Sequence, residues 1–118
     1  MDEQVPRVLC DTSALPPDQA GAVWRLGEEP RDLDANVISL PPGSSIAPHV
    51  GADLDVLVLV LAGDGALVSD RGEEAVRAGQ LLWLPRRSRR GFRPGPAGLR
   101  YVTVHQRRTG LPLVAARE

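Results

Sequence analysis

Asp55-Val56-Leu57-Val58-Leu59-Val60-Leu61-Ala62, followed by Gly63-Asp64-Gly65, is the stretch whose reading decides the fold. Successive side chains of a strand point to opposite faces. Val56, Val58 and Val60 therefore share one face, and Leu57, Leu59 and Leu61 the other. A strand apolar on both faces must be covered on both. One face fills a barrel core. The other needs the N-terminal segment or a second subunit, and a homodimer is the favoured reading, with cover by the chain's own tails as the alternative. Gly63-Asp64-Gly65 reads as a tight Asp-Gly hairpin turn returning into Ala66–Ser69.

Working outward, the chain continues as short strands separated by glycine and proline. Residues 35–40 and 45–50 read as strands around the Pro41-Pro42-Gly43 turn. Asp70-Arg71-Gly72 turns into a short strand at 74–77, and 80–84 forms another, stopped by Pro85. After an arginine-rich loop and Pro94-Gly95-Pro96-Ala97-Gly98, a strand over 99–105 closes the domain. No helical periodicity competes, so the expected class is all-β, a single-domain jelly-roll β-barrel. Residues 34–106 form the barrel. Residues 1–33, punctuated by four prolines, are a lead-in packing on barrel or partner, with a short strand at 22–26 and a turn of helix allowed at 17–20. Residues 107–118 are a tail in which Leu111-Pro112-Leu113-Val114 can pack on the barrel.

Composition narrows the function classes. The chain has 118 residues, 42% hydrophobic and 25% charged, which suits one folded domain and is too apolar for a disordered chain. A net charge of -1 gives no global attraction to nucleic acid or anionic membranes. All 14 basic residues are arginine, a bias that GC-rich genomes produce; it points to a bacterial source and weakens any single arginine as evidence. Cys10 is the only cysteine, which leaves no intrachain disulfide and no thiolate cluster for zinc. With no histidine adjacent to it, Cys10 reads as an incidental thiol. The opening Met-Asp-Glu-Gln has no apolar signal region and the apolar run 56–62 is too short to cross a bilayer, so a cytoplasmic protein is expected.

Two spaced motifs add a resemblance. Gly43, five residues and His49 match the start of one; Gly79, five residues and Pro85 match the start of the other. Over residues 36–106 the chain resembles the cupin superfamily. That resemblance implies a barrel whose first motif is Gly-x5-His-x-His-x3-4-Glu-x6-Gly and whose second is Gly-x5-Pro-x-Gly-x2-His-x3-Asn. His49 keeps the first ligand slot. Gly51 stands in the second histidine slot and Val56, counted back from Gly63, in the glutamate slot. In the second motif Arg87 replaces glycine, Arg90 replaces histidine and Pro94 replaces asparagine. The turn-setting skeleton survives while the ligand set does not. Family enzymes hold iron, manganese, nickel or zinc through three histidines and a carboxylate. Valine has no lone pair and a guanidinium is a permanent cation. No metal cofactor is expected, at most a weakly bound divalent ion at His49.

The candidate ligand-binding residues are His49, Val56, Arg90, Tyr101 and His105. If Arg90 points inward, the cavity attracts a carboxylate or phosphate by bidentate hydrogen bonding; if it points outward, the pocket is merely apolar. His49 reads as a cavity-facing hydrogen-bonding or acid-base group, or equally as a relic satisfied by a neighbour. His105 shares a face with Tyr101 and Thr103. The outer, solvated face is favoured for this stripe, because Val102 and Val104 look like the core-facing pair. Asp53 and Asp55 flank the glutamate slot, yet Asp55 is out of phase and Asp53 sits in a turn. Arg86, Arg87, Arg89, Arg90 and Arg93 form a charge cluster with only Phe92 as a stacking platform, so a solvated loop pairing with Glu28, Glu29, Glu73 or Glu74 is preferred to a nucleic-acid patch. Trp24 and Trp83 read as core or interface anchors.

Three functions remain, in this order: a metal-free barrel that binds or senses a small molecule; a structural or protein-interaction dimer; and an enzyme with an atypical metal site or a metal-free acid-base pair such as His49 and Tyr101.

Overall fold

The structure, a computed structural model, describes residues 5–108. It is almost wholly β: β1 (Gly21–Arg25), β2 (Leu33–Leu40), β3 (Ile46–Val50), β4 (Val56–Ser69), β5 (Gly72–Arg77), β6 (Leu81–Leu84) and β7 (Arg89–Gln106). Every pairing among them is antiparallel. A 3-10 turn, Thr12–Ala14, is capped by the Asp11 side chain accepting from the Ser13 amide. It lies earlier than the turn of helix expected at 17–20, where no helix forms. Among the described residues no helix is long and apolar enough to cross a membrane.

Two long strands build the barrel. The first half of β4 pairs with β6 and with the second half of β7; its second half pairs with β5 and the first half of β7. One layer is thus β1-β2-β7-β4-β6 and the other β3-β7-β4-β5. Here the sequence reading needs correction. Gly63-Asp64-Gly65 is not a hairpin turn but the corner at which β4 passes from one layer to the other, with register shifts at Val60/Ala62 and Gly63/Gly65. Gly63 takes φ 75°, and a Cβ there would run into the Gly98 carbonyl. Only glycine permits that backbone approach. The matching corner on β7 is the stretch 94–98, which is bulged strand and not loop, and β7 already begins at Arg89.

The alternation of β4 is realised as expected. Val56, Val58 and Val60 are 3%, 0% and 1% exposed, each burial stabilising by roughly 1.5–3 kcal/mol. They join Leu40, Val76, Leu84, Phe92, Leu99 and Tyr101 in one core between the layers. The opposite, leucine face stays open: Leu57 is 44% and Leu59 36% exposed. The chain's own lead-in reaches the β2 side of that layer. There Arg100 donates to the carbonyls of Thr12, Leu15 and Pro16, and Val37 and Ser39 are buried. Packing of the tail segment 111–114 lies outside the described residues.

Candidate functional site

His49 on β3 lies directly opposite Arg90 on β7, and Arg90 lies opposite Ser69 on β4. Arg90 is only 6% exposed and its guanidinium turns inward over Gly51, where an added Cβ would overlap Cζ and Nη1. A buried cation needs hydrogen-bond acceptors. Arg90 Nη1 donates to Ser88 Oγ (3.1 Å) and to the carbonyls of Ser88 (3.3 Å) and Pro85 (3.4 Å). Two backbone bonds close the collar around it: the Gly51 amide donates to the Ser88 carbonyl and the Arg87 amide to the Ala52 carbonyl. Of the two orientations left open by the sequence, the inward one is present.

His49 is half-buried. Its Nδ1 lies 3.1 Å from the Ala47 carbonyl, and a carbonyl only accepts, so Nδ1 is the donor in that contact. Val56 is buried between Leu84 on one side and His105 on the other. His105 therefore does not lie on the outer face. Val56, Val58 and Val60 pair with His105, Thr103 and Tyr101, which puts those three on the core side, and His105 is 7% exposed. The phase was misread because Val102 and Val104 are the more apolar pair. They face the open side of the layer beside Leu59 and Leu57. His105 Nδ1 donates to the Gln106 carbonyl (2.9 Å). Tyr101 stacks on Phe92, ring centroids 4.5 Å apart, and burial pushes its phenol far above the ordinary value. A phenol held protonated in this way is a poor partner for acid-base chemistry with His49.

The four positions that correspond to ligand slots in the motifs the sequence resembles hold an imidazole, a glycine, a valine and an inward guanidinium. This set does not fit a divalent ion, since one neutral donor cannot offset a resident cation. Asp53 and Asp55 do not supplement it. Arg86 bonds Asp55 through its main-chain amide (3.0 Å) and its guanidinium, and Arg87 reaches Asp53 (3.3 Å). The Arg86 hydrogen bonds hold the Asp55 carboxyl below its usual range. Among the described residues no three of His, Cys, Asp and Glu gather into a group that could hold a metal.

The ion pairs give the arginine cluster one of its expected partners, Glu73 for Arg93, and revise the others. Arg86 and Arg87 pair with aspartates across the barrel mouth, and Arg93 pairs with Glu73. Glu28 and Glu29 instead bind Arg7, Arg31 and Arg107. Arg93 depresses the Glu73 carboxyl and Arg107 that of Glu29, in both cases mainly by side-chain hydrogen bonding.

Beside Arg90 opens a cleft of about 670 Å³, lined by residues of both β5 and β6. Leu67 and Leu84 form its apolar wall. Ser69, Ser88, Glu74 and Arg90 form a polar one, with Arg71 and Arg89 at the rim. Sequence reasoning missed Arg71 and Ser88, which lie in turns and carry no spacing signal, and took Glu74 only as a candidate ion-pair partner. Another cleft, of about 720 Å³ between Pro42, Asp64 and Pro94–Pro96, contains none of the candidate residues.

Comparison with solved structures finds the same architecture in proteins of low identity. An uncharacterized conserved protein with a double-stranded β-helix domain from Klebsiella pneumoniae superposes with TM-score 0.70 at 19% identity, covering 86% of this chain and 90% of that one. A Cupin 2 conserved barrel domain protein from Salinispora arenicola gives 0.66 at 23%, covering 86% and 87%. The polyketide cyclase RemF from Streptomyces resistomycificus gives 0.67 at 21%, covering 86% and 80%. Neither a family model nor a curated protein matches the sequence.

Proposed function

We propose, from the premise that this chain has the cupin fold, a double-stranded β-helix, that it is a metal-independent binding module for a small anionic molecule. The observation that carries this reading is the buried guanidinium of Arg90 beside Gly51, a fixed protein cation in the ligand region of the barrel. A permanent charge on rigid strands attracts an anion without any ion having to be loaded first. Arg71 and Arg89 line the adjoining cleft and add charge, and neither guanidinium bonds an acceptor among the described residues. Leu67 and Leu84 suit an apolar portion of the ligand, and Glu74 suits a hydroxyl beside the anionic group. Fold alone does not choose among functions; the choice rests on this cation and its cleft.

The test is a thermal-shift screen of the purified protein with small carboxylates and phosphomonoesters, followed by titration of any hit. A ligand at about 100 times its Kd raises stability by about 2.7 kcal/mol. Arg89→Ala should reduce that shift without lowering the melting temperature of the free protein. Elemental analysis of protein as isolated that returned one equivalent of a transition metal would overturn the reading. So would a screen in which only neutral ligands bind.

A further inference from the structure

We infer that the ligand of the Arg90 cleft is a zwitterion, with Glu74 holding an ammonium group at one end while Arg90 draws the anion at the other. This ligand class presupposes the anion-binding reading above and adds a second charge to it. Glu73 and Glu74 are adjacent in β5, so the strand turns them to opposite faces. Glu73 lies on the outer face, where Arg93 pairs with it. Glu74 lies opposite Leu67 on β4, and Leu67 lies opposite the core residue Phe92 on β7. Directly opposed residues share a face, so Glu74 stands on the inner face of the smaller layer. The next row on that face runs Gly72, Ser69, Arg90 and His49.

Arg90 and Glu74 thus stand on β7 and β5 with β4 between them, and both line the cleft together with Leu67 and Ser69. Neighbouring strands are about 4.8 Å apart, which separates these two backbones by about 10 Å. Arg90 is buried, whereas Glu74 is exposed at the cleft's outer edge, on a strand that pairs only with β4 among the described residues. A small molecule lying across Leu67 meets a fixed cation at its inner end and a carboxylate at its outer end. The other charges of the cleft follow the same division. Arg87 and Arg89 flank Arg90, and Asp70 lies in the turn that leads to β5. Arg71 shares that turn, but its guanidinium bonds no acceptor among the described residues and leaves Glu74 uncompensated. No hydrogen bond or ion pair joins Glu74 to any described residue. A ligand that fills the cleft takes this carboxylate out of water, and an unpaired desolvated charge is costly. A hydroxyl would satisfy a lone pair and leave the charge unmet. An ammonium meets both, through bonds roughly twice as strong as neutral ones.

Titration of the full chain with matched pairs, followed by amide NMR shifts, tests this. Glycine, β-alanine and γ-aminobutyrate are each set against the carboxylate lacking the amine (acetate, propionate, butyrate), and phosphoethanolamine against ethyl phosphate. At least one amino compound should bind about tenfold tighter than its partner, the gain expected from one charge-assisted bond. Glu74→Gln keeps the shape and removes the charge, so it should abolish most of that preference without weakening the plain anion. Glu73→Gln removes the same charge from the outer face and should leave the preference intact. Equal or weaker binding of every amino compound overturns the zwitterion and leaves the anion-binding reading standing. If no anion binds, with or without an amine, that reading fails and this one with it. A preference that survives Glu74→Gln, or that Glu73→Gln removes as fully, overturns the role of Glu74 and with it the proposal.

Discussion

The guanidinium of Arg90 lies in the space that a side chain on Gly51 would fill. The two positions are thus one feature: the glycine opens the room, and the arginine occupies it and bonds the turn 85–88. A methyl group at 51 must push the guanidinium out, breaking charge-assisted bonds worth about 1.5–3 kcal/mol each. Gly51→Ala should therefore destabilise by roughly 1–3 kcal/mol, and the same change in an Arg90→Met background by well under half as much. Urea denaturation of the four proteins of this cycle gives the coupling energy. Strictly additive costs would mean that the two residues do not share that space.

Arg87 marks a different departure from the motif that the sequence resembles. It stands where the second motif has glycine, and it keeps the conformation glycine would take, with φ 59°. A left-handed backbone costs a residue with a Cβ about 1–2 kcal/mol, and the exposed ion pair to Asp53 returns little of it. Arg87→Gly should leave stability unchanged or raise it by up to about 1 kcal/mol, whereas the β-branched Arg87→Val should lose 1–2 kcal/mol or more. Chemical denaturation distinguishes them, and equal effects of Gly and Val would refute the strain argument.

The strands were legible because β4 alternates apolar residues on both faces and the glycine-proline skeleton cuts the chain at the right places. The corners were not. Gly63-Asp64-Gly65 has the composition of a hairpin turn, and only its approach to Gly98 and Arg93 makes it a bulge inside a longer strand. The site was legible as a set of replaced ligands, which fixed the attention on Gly51 and Arg90. Their mutual contact was not, because it joins residues 39 positions apart through a side-chain torsion. His105 failed for a related reason: hydropathy assigned the β7 phase to Val102 and Val104, while pairing with Val56 turns His105 inward. Valines on the outside make sense only on a face that something covers.

Tyr101 is the only tyrosine, so its titration can be read directly. Burial raises its pKa above the ordinary 10, which means that the folded protein holds the proton more tightly than the unfolded chain. The sign follows. This contribution is complete below pH 10 and is lost as pH rises from 10 toward the folded value. Absorbance at the phenolate band should stay flat past pH 10 and rise only together with the loss of the β-sheet circular dichroism signal. A phenolate appearing near pH 10 in folded protein would contradict the buried, Phe92-stacked placement.

Arg100 provides the remaining prediction, because it ties the lead-in to the barrel. Its fork donates to the carbonyls of Thr12 (3.1 Å), Leu15 (3.3 Å) and Pro16, and reaches Ser39 Oγ (3.4 Å). Four acceptors spread over two segments match a planar guanidinium and not a single ammonium. Arg100→Lys keeps the charge and loses the fork, so it should release residues 12–16 while the barrel stays folded. Hydrogen exchange should accelerate at least tenfold at Ala14 and Leu15, whose amides bond within that segment, with little change on β4. The released segment would also uncover Ser39, whose hydroxyl the Arg100 fork reaches. Unchanged exchange in Arg100→Lys would show that the lead-in is held by its own packing, and that Arg100 merely lies against it.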